Sequence, residues 1–204
     1  MTQILLIISS PRGAASYSTQ VARVLTDKLA AASQPAQVTV RDLTVQPRLP
    51  HIDEHFATGR ALSATDALTP GQRDALAISD RLIAELFAAD VIVIASSMIN
   101  FSISSTLKTY IDYVARPGVT FRYTQQGPEG LLKGKKVYLV QARGGVYSQG
   151  PAQAANFQEP YLRQILGFIG LTDVVSVVVE GVAFGPEVTD KSVAAALAHV
   201  ETLV

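Results

Sequence analysis

The chain contains no cysteine. That absence excludes disulfides, a thiolate nucleophile, cysteine-ligated zinc and iron–sulfur clusters. Neither charge is in surplus, since Lys+Arg 17 stand against Asp+Glu 17. Nucleic acids and anionic membranes are normally met by a basic excess, so neither is an expected partner. No apolar run approaches the roughly 18 residues of a membrane span. The apolar run at residues 4–8 is too short for a signal-peptide core and has no basic residue before it. The expectation is a soluble cytoplasmic protein.

Two nucleotide fingerprints are missing as well. Gly13 stands alone in its loop, and no G-x-G-x-x-G occurs, although Asp42 follows a strand where a ribose-binding acid would be expected. The P-loop pattern G-x-x-x-x-G-K-[ST] is also absent. One motif points to metal: His51-Ile52-Asp53-Glu54-His55 satisfies H-x-x-E-H. That chemistry needs both histidines on one helical face. Pro50 precedes His51 and Asp53 reads as an N-cap, which puts His51 outside the helix, so no metal site is expected. His199, in an alanine-rich terminal helix, reads as an exposed side chain.

Against these absences stands an ample core, with hydrophobic residues at 48% of the 204. One domain spanning residues 1–204 is expected, without repeat or low-complexity linker. Residues 91–95, Val-Ile-Val-Ile-Ala, are apolar without alternation, which suits a strand buried on both faces of a parallel sheet. Further strands are expected at residues 3–8, 38–40, 137–140 and 174–179. Helical spacing places Val21, Val24, Leu25 and Leu29 on one face of a helix from about Ser18. Asp53 to Ala61 reads as a short helix. Thr69-Pro70-Gly71-Gln72 combines a capping-box spacing with proline at the first helical position. Its helix carries Leu76, Leu82, Ile83 and Leu86; another, opening near Ser104, carries Leu107, Tyr110, Ile111 and Val114 and stops at Arg116-Pro117-Gly118. Residues 120–130 read as a hairpin, with later helices near residues 161–169 and 188–203. Five strands, most separated by helices, make a doubly wound parallel sheet. Its strand order is not set by the pattern alone, because two orders are common.

Three loops, after the first, third and fourth strands, open at one edge of such a sheet. The first holds Ser9, Ser10, Ser16, Tyr17 and Ser18 before a helix, whose unpaired amides and dipole favour an anion. It reads equally as an ordinary serine-capped helix start. The second, Met98-Ile99-Asn100-Phe101, offers backbone amides, one side-chain amide and apolar contact to a flat heteroaromatic ring. Taken alone, the same residues read as caps of the core. The third, Ala142-Arg143-Gly144-Gly145, permits close backbone approach where side chains are lacking, or is a plain turn. Together the three outline a site for flavin mononucleotide.

At that point the chain resembles the FMN-dependent NADH-azoreductases, a branch of the flavodoxin-like quinone reductases, along essentially its whole length. The matching blocks are Ser9-Ser10 with Ser16-Tyr17-Ser18, Met98-Ile99-Asn100-Phe101 with Leu107-Lys108 and Ile111-Asp112, and Gly118-Val119-Thr120-Phe121-Arg122-Tyr123 running to Gly127-Pro128-Glu129-Gly130-Leu131. Arg143-Gly144-Gly145, Leu166-Gly167-Phe168-Ile169-Gly170 and Glu180-Gly181 complete the set.

The resemblance implies a flavodoxin-like α/β fold: a doubly wound five-stranded parallel sheet of order 2-1-3-4-5 with helices on both faces. It also implies a homodimer with sites near the interface. It assigns FMN to Ser10, Ser16, Tyr17, Ser18, Met98, Ile99, Asn100, Phe101, Ala142, Arg143, Gly144 and Gly145, the serines holding the phosphate. It implies a ping-pong cycle in which NADH reduces the flavin and a quinone or azo compound reoxidises it. The hydride chemistry then sits on the cofactor, which accounts for the lack of a catalytic dyad or triad. Asn100 and Arg143 are candidate orienting groups. Phe121, Tyr123, Phe157 and Tyr161 are candidate substrate walls from either subunit, or packing residues of hairpin, core or interface. Ser97 and Ile99 stand where the family usually has proline and tyrosine, which bears on substrate preference rather than on cofactor binding. The competing reading is a flavodoxin-like electron carrier without a substrate pocket. Zero net charge disfavours it, because carriers dock through charged patches.

Overall fold

A computed structural model describes residues 1–62 and 66–204. Among the described residues, seven strands and six α-helices follow in the order β1 (Thr2–Ile8), α1 (Tyr17–Ala32), β2 (Ala36–Asp42), α2 (Glu54–Gly59), α3 (Pro70–Ala88), β3 (Val91–Ser97), α4 (Ser105–Val114), β4 (Phe121–Thr124), β5 (Gly127–Gly130), β6 (Lys136–Ala142), α5 (Gln158–Phe168), β7 (Asp173–Val179) and α6 (Pro186–Glu201). Five of the strands form a parallel sheet in the order β2-β1-β3-β6-β7. Omitting the β4–β5 hairpin, this is the 2-1-3-4-5 order that the resemblance implies.

Alternation along the inner strands sorts the core into two halves. Leu5 and Ile7, Ile92 and Ile94, and Val137 and Leu139 face α3, α4 and α5. Ile4, Leu6 and Ile8, with Val93, Ala95 and Val140, face α1 and α6. Helices therefore cover both faces. β3 is buried along nearly its whole length, which explains its unbroken apolar run.

Most helix starts follow from local chemistry. The Thr69 hydroxyl accepts from Gln72 N at 3.3 Å, and the Gln72 side chain accepts from Thr69 N at 2.9 Å, closing the expected capping box. Asp53 caps α2 by accepting from Phe56 N at 3.0 Å. His51 therefore precedes the helix, with Nδ1 at 3.2 Å from Thr109 Oγ1, while the His55 ring lies against Gly71. The two imidazoles thus face different helices.

Some expectations shift. Val21, Leu25 and Leu29 are buried, but Val24 is exposed on the outer side of α1. α5 begins at Gln158, three residues before the expected Tyr161, because Phe157 at its start offers no capping side chain to read. The 120–130 excursion is the antiparallel β4–β5 hairpin. It docks through two glycines back to back: a Cβ on Gly130 would lie 2.1 Å from Gly170 N.

Candidate functional site

The carboxyl ends of β1, β3 and β6 open into one cleft of ≈ 330 Å³. Ser10, Ser16 and Tyr17 line one end, and Met98, Ile99, Ala142, Arg143 and Gly144 the other. Sequence reasoning missed the rest of the wall: Pro11 and Arg12 beside the serines, Ser97 at the end of β3, and Val182 and Ala183 from the loop after β7. The latter two are placed by Val182 N donating to Arg143 O at 3.3 Å and Ala183 N to Gly144 O at 3.0 Å. Glu180-Gly181 was the signal in sequence for that loop.

At the serine end, Ser16 is the N-cap of α1, its Oγ accepting from Thr19 N at 3.3 Å. The Ser16 and Ser18 hydroxyls share a hydrogen bond of 3.0 Å, and both residues are buried, as is Ser10. Ser9 turns away, donating Oγ to Ala95 O at 2.8 Å. The first-turn amides of α1 have no acceptor inside the helix. The helix dipole adds positive potential there. Arg12 supplies a cation as well, its guanidinium lying 5.5 Å from the centre of the Tyr17 ring.

The opposite end is a strained turn against a buried arginine. Met98 N donates to Ala142 O at 2.8 Å, tying the two ring-side loops together. Ile99 and Ser102 exchange backbone hydrogen bonds of 2.9 and 3.0 Å around Asn100 and Phe101, whose φ angles are 47° and 70°. Two positive φ angles in a two-residue turn are the type I′ pattern, which favours Asn at the first central position and Gly at the second. Phenylalanine at the second costs about 1–2 kcal/mol. Its ring is 50% exposed and meets Tyr147 edge-on at 6.2 Å, and its carbonyl accepts from Phe157 N at 3.0 Å. A bulky residue held at positive φ beside a cleft points to a role for its side chain there.

Arg143 corrects its expected role. The side chain is 1% exposed, with Nε donating to Gln158 Oε1 (3.1 Å), Nη1 to Glu180 (2.9 Å) and Nη2 to Gln141 (2.9 Å) and Glu159 (3.0 Å). Four of five donors are thus engaged by protein, so the guanidinium positions the loop rather than orienting a substrate. Glu180 also accepts from Tyr147 N at 2.8 Å and Ser148 Oγ at 2.5 Å, folding the glycine loop back on itself. Burial alone would push the Glu180 carboxyl up; Ser148, Tyr147 and Arg143 outweigh it and hold it below the usual range. Burial opposes Ser176, Arg163 and Arg143 at Glu159 in the same way, again with a net lowering. Gln158, unread in sequence, closes the circuit: its Nε2 donates to Ser96 O and Oγ at 3.1 and 3.0 Å.

The candidate wall residues separate. Phe157, 60% exposed, is tied by its backbone N–H to Phe101 O, and neither ring is among the residues that line the cleft. Phe121 does not line it; the ring is buried, 4.4 Å from that of Phe168, so within this chain it is core. Tyr161 is half-buried and packed on the α3–α5 half of the core, outside the cleft lining. Tyr123 projects from the hairpin, 74% exposed and also outside the lining. Asn100 is exposed at the turn and is not among the residues that line the cleft.

Comparison with known proteins agrees with this geometry. The family model described as the flavodoxin-like fold matches residues 2–204. An FMN-dependent NADH:quinone oxidoreductase of Rhizobium etli is 53% identical over 203 residues, covering 100% of this chain and 98% of that protein. One from Mesorhizobium japonicum is 48% identical, covering 98% and 95%. The crystal structure of an azoreductase from Bacillus anthracis superposes with a TM-score of 0.92 at 31% identity, covering 100% and 98%. The chain belongs to the flavodoxin-like family, in the group formed by the FMN-dependent NADH:quinone oxidoreductases and the azoreductases.

Proposed function

We propose that this chain is an FMN-dependent oxidoreductase that passes hydride from NADH to quinones and to azo compounds. The carrying observation is the cleft itself, with a hydroxyl-lined helix start at one end and two backbone edges meeting at the other. The lining fits FMN, with Ser10, Ser16 and Tyr17 for the phosphate and Met98, Ile99, Ala142, Arg143 and Gly144 for the ring; Ser18, Asn100, Phe101 and Gly145 belong to the same loops but do not line the cleft. When bound, FMN supplies the hydride chemistry, one round for a quinone and two for an azo bond split to amines.

The protein's share is position and exclusion of water. The α1 amides and serine hydroxyls hold an anion, and the Arg143 network sets the glycine edge. Phe101 and Phe157 present an apolar surface over the ring site, with Asn100 as the polar group beside it. The exposed hairpin ring of Tyr123 fits a wall shared between two copies, consistent with a homodimer whose sites lie near the interface. Quinones, azo compounds and NADH are the expected small-molecule partners, in the cytoplasm, with neither nucleic acid nor membrane involved. Zero net charge and a walled cleft disfavour a pure electron carrier.

Calorimetry of FMN into folded apoprotein should show saturable uptake. The loaded protein should bleach with NADH, recover with menadione and sustain NADH oxidation in the steady state. No FMN uptake would overturn the assignment, and uptake without turnover would favour the carrier.

A further inference from the structure

A second cleft of ≈ 280 Å³ lies against the first, sharing Pro11 and Ile99 as a common wall. It is formed where β1 ends, between Thr44 and Arg48 of the β2–α2 connection and the first turn of α4, Ser105 and Thr106. Arg48, Ser105 and Thr106 also line a neighbouring hollow of ≈ 100 Å³ bordered by His51. Apart from Pro11 and Ile99, no residue of this cleft lines the first.

Its chemistry is that of an anion site without an anion of its own. Arg48 is exposed, with one long contact to Thr44 O at 3.5 Å, and it has no carboxylate partner among the described residues. The Asp42 carboxylate at the end of β2 is held by Thr44 N and Oγ1 at 2.9 and 2.7 Å. Ser104 caps α4 through Leu107 N, and the Ser104 and Thr106 hydroxyls donate to Ser9 O at 3.1 and 3.2 Å. That pins the helix start to the end of β1, while the amides of Ser105 and Thr106 precede the helical ladder and face no helical acceptor. Arg48, Ser105 and Thr106 thus border both hollows beside the ring-side loops, with His51 at the smaller one.

We propose that this second cleft receives the diphosphate of the nicotinamide dinucleotide donor, whose nicotinamide end reaches over the Ile99 wall into the first cleft. The inference rests on NADH being the donor, as proposed above. Among the reactants only the dinucleotide carries a diphosphate; quinones and azo compounds bring no such group to be neutralised. The sheet has no glycine-rich dinucleotide loop, and the α1 start serves the FMN phosphate. The cation and helix start of the second cleft are what this edge has left to offer. Recognition by an exposed arginine and amides, rather than by a buried cradle, also suits a donor that must leave in every cycle.

The test compares NADH with a dihydronicotinamide lacking phosphates, such as the N-benzyl compound, at saturating menadione and with FMN-loaded protein. Arg48→Ala should raise KM for NADH about tenfold, so that the preference for NADH over the phosphate-free donor falls by the same factor. ADP-ribose, titrated calorimetrically into FMN-loaded protein, should bind the wild type and bind Arg48→Ala correspondingly more weakly. Ser105→Asp is the second variant. An acid in the first turn favours the helix, so a purely structural role predicts no loss, whereas a diphosphate site predicts a raised KM for NADH and weaker ADP-ribose binding. An unchanged KM for NADH in both variants, or equal shifts for the two donors, would overturn the proposal. A wild type that never oxidises NADH would instead overturn the proposed function.

Discussion

At the serine end of the main cleft, the defining contacts join near neighbours in sequence; at the ring end they join residues dozens of positions apart. Ser16 bonds Thr19 and Ser18, and Gln20 reaches back to Ala14. Across the cleft, Arg143 bonds Glu180, and Gln158 bonds Ser96. A short-range cradle forms with its helix, so its geometry comes with secondary structure. The ring end exists only when β3, β6, β7 and α5 are all in place, and it carries a strained turn as well. Anchoring an anion needs little more than a capped helix, whereas placing backbone edges along a flat ring needs the whole sheet edge.

Removing the centre of the long-range network should have the largest effect. Arg143→Ala leaves Glu159 and Glu180 partly buried without their shared cation and should cost about 3–5 kcal/mol in urea unfolding. A loss under about 1 kcal/mol would mean that the ring end is not organised through this side chain. The serine end should respond differently. Ser18→Ala should weaken FMN about tenfold by calorimetry, as loss of a hydrogen bond to a charged group does, while leaving the apoprotein within about 1 kcal/mol of wild type. Similar losses of stability in the two variants would erase the contrast.

The same contrast governs what could be read from sequence. Ser16 and Thr69 are legible as caps because the hydroxyl and the amide it serves lie three residues apart. The strands are legible because burial on both faces leaves an apolar run, and the hairpin because glycines bracket it. Arg143 is visible in its motif, yet its partners lie on β6, on α5 and after β7, and no local pattern announces a guanidinium turned inward. Gln158 was unreadable as a site residue for the same reason, and Glu180 was visible only as part of its Glu180-Gly181 block. Phe121 and Tyr161 read equally as wall or as packing residues; within this chain they pack against Phe168 and against the α3–α5 half of the core, contacts that no local pattern announces. The strain at Phe101 had no sequence signal beyond Asn100 before it, since glycine, not phenylalanine, marks such a turn.

Acid should loosen the ring end at a pH set by its carboxylates. Glu159 and Glu180 are both held below the usual carboxyl range, so their contribution is complete above the unfolded value, near about 4.3. It is lost as pH falls through the lowered native values. Glu180→Gln keeps an acceptor for Arg143 but not the charge, and should be about 1 kcal/mol less stable than wild type at pH 7. That gap should hold down to about pH 5.5 and shrink at lower pH. A gap that persists unchanged at pH 3, or that opens only above pH 7, would show that the carboxylate charge is not what holds the loop.

The smallest effect isolates the strain at the ring end, and its sign matters more than its size. At an ordinary position alanine is more stable than glycine, because glycine has more chain entropy to lose, by about 0.4–1 kcal/mol. At Phe101, with φ at 70°, a Cβ costs about 1–2 kcal/mol that glycine avoids. Phe101→Ala and Phe101→Gly both remove the ring and its contact with Tyr147, so comparing them cancels the packing loss. Phe101→Gly should therefore be the more stable by about 0.5–1 kcal/mol in urea unfolding of the apoprotein. Both variants should raise KM for the quinone, because the apolar surface over the ring site is gone in each. If alanine proved the more stable, the turn would not be under strain, and the ring at Phe101 could no longer be read as kept against the preference of its own backbone.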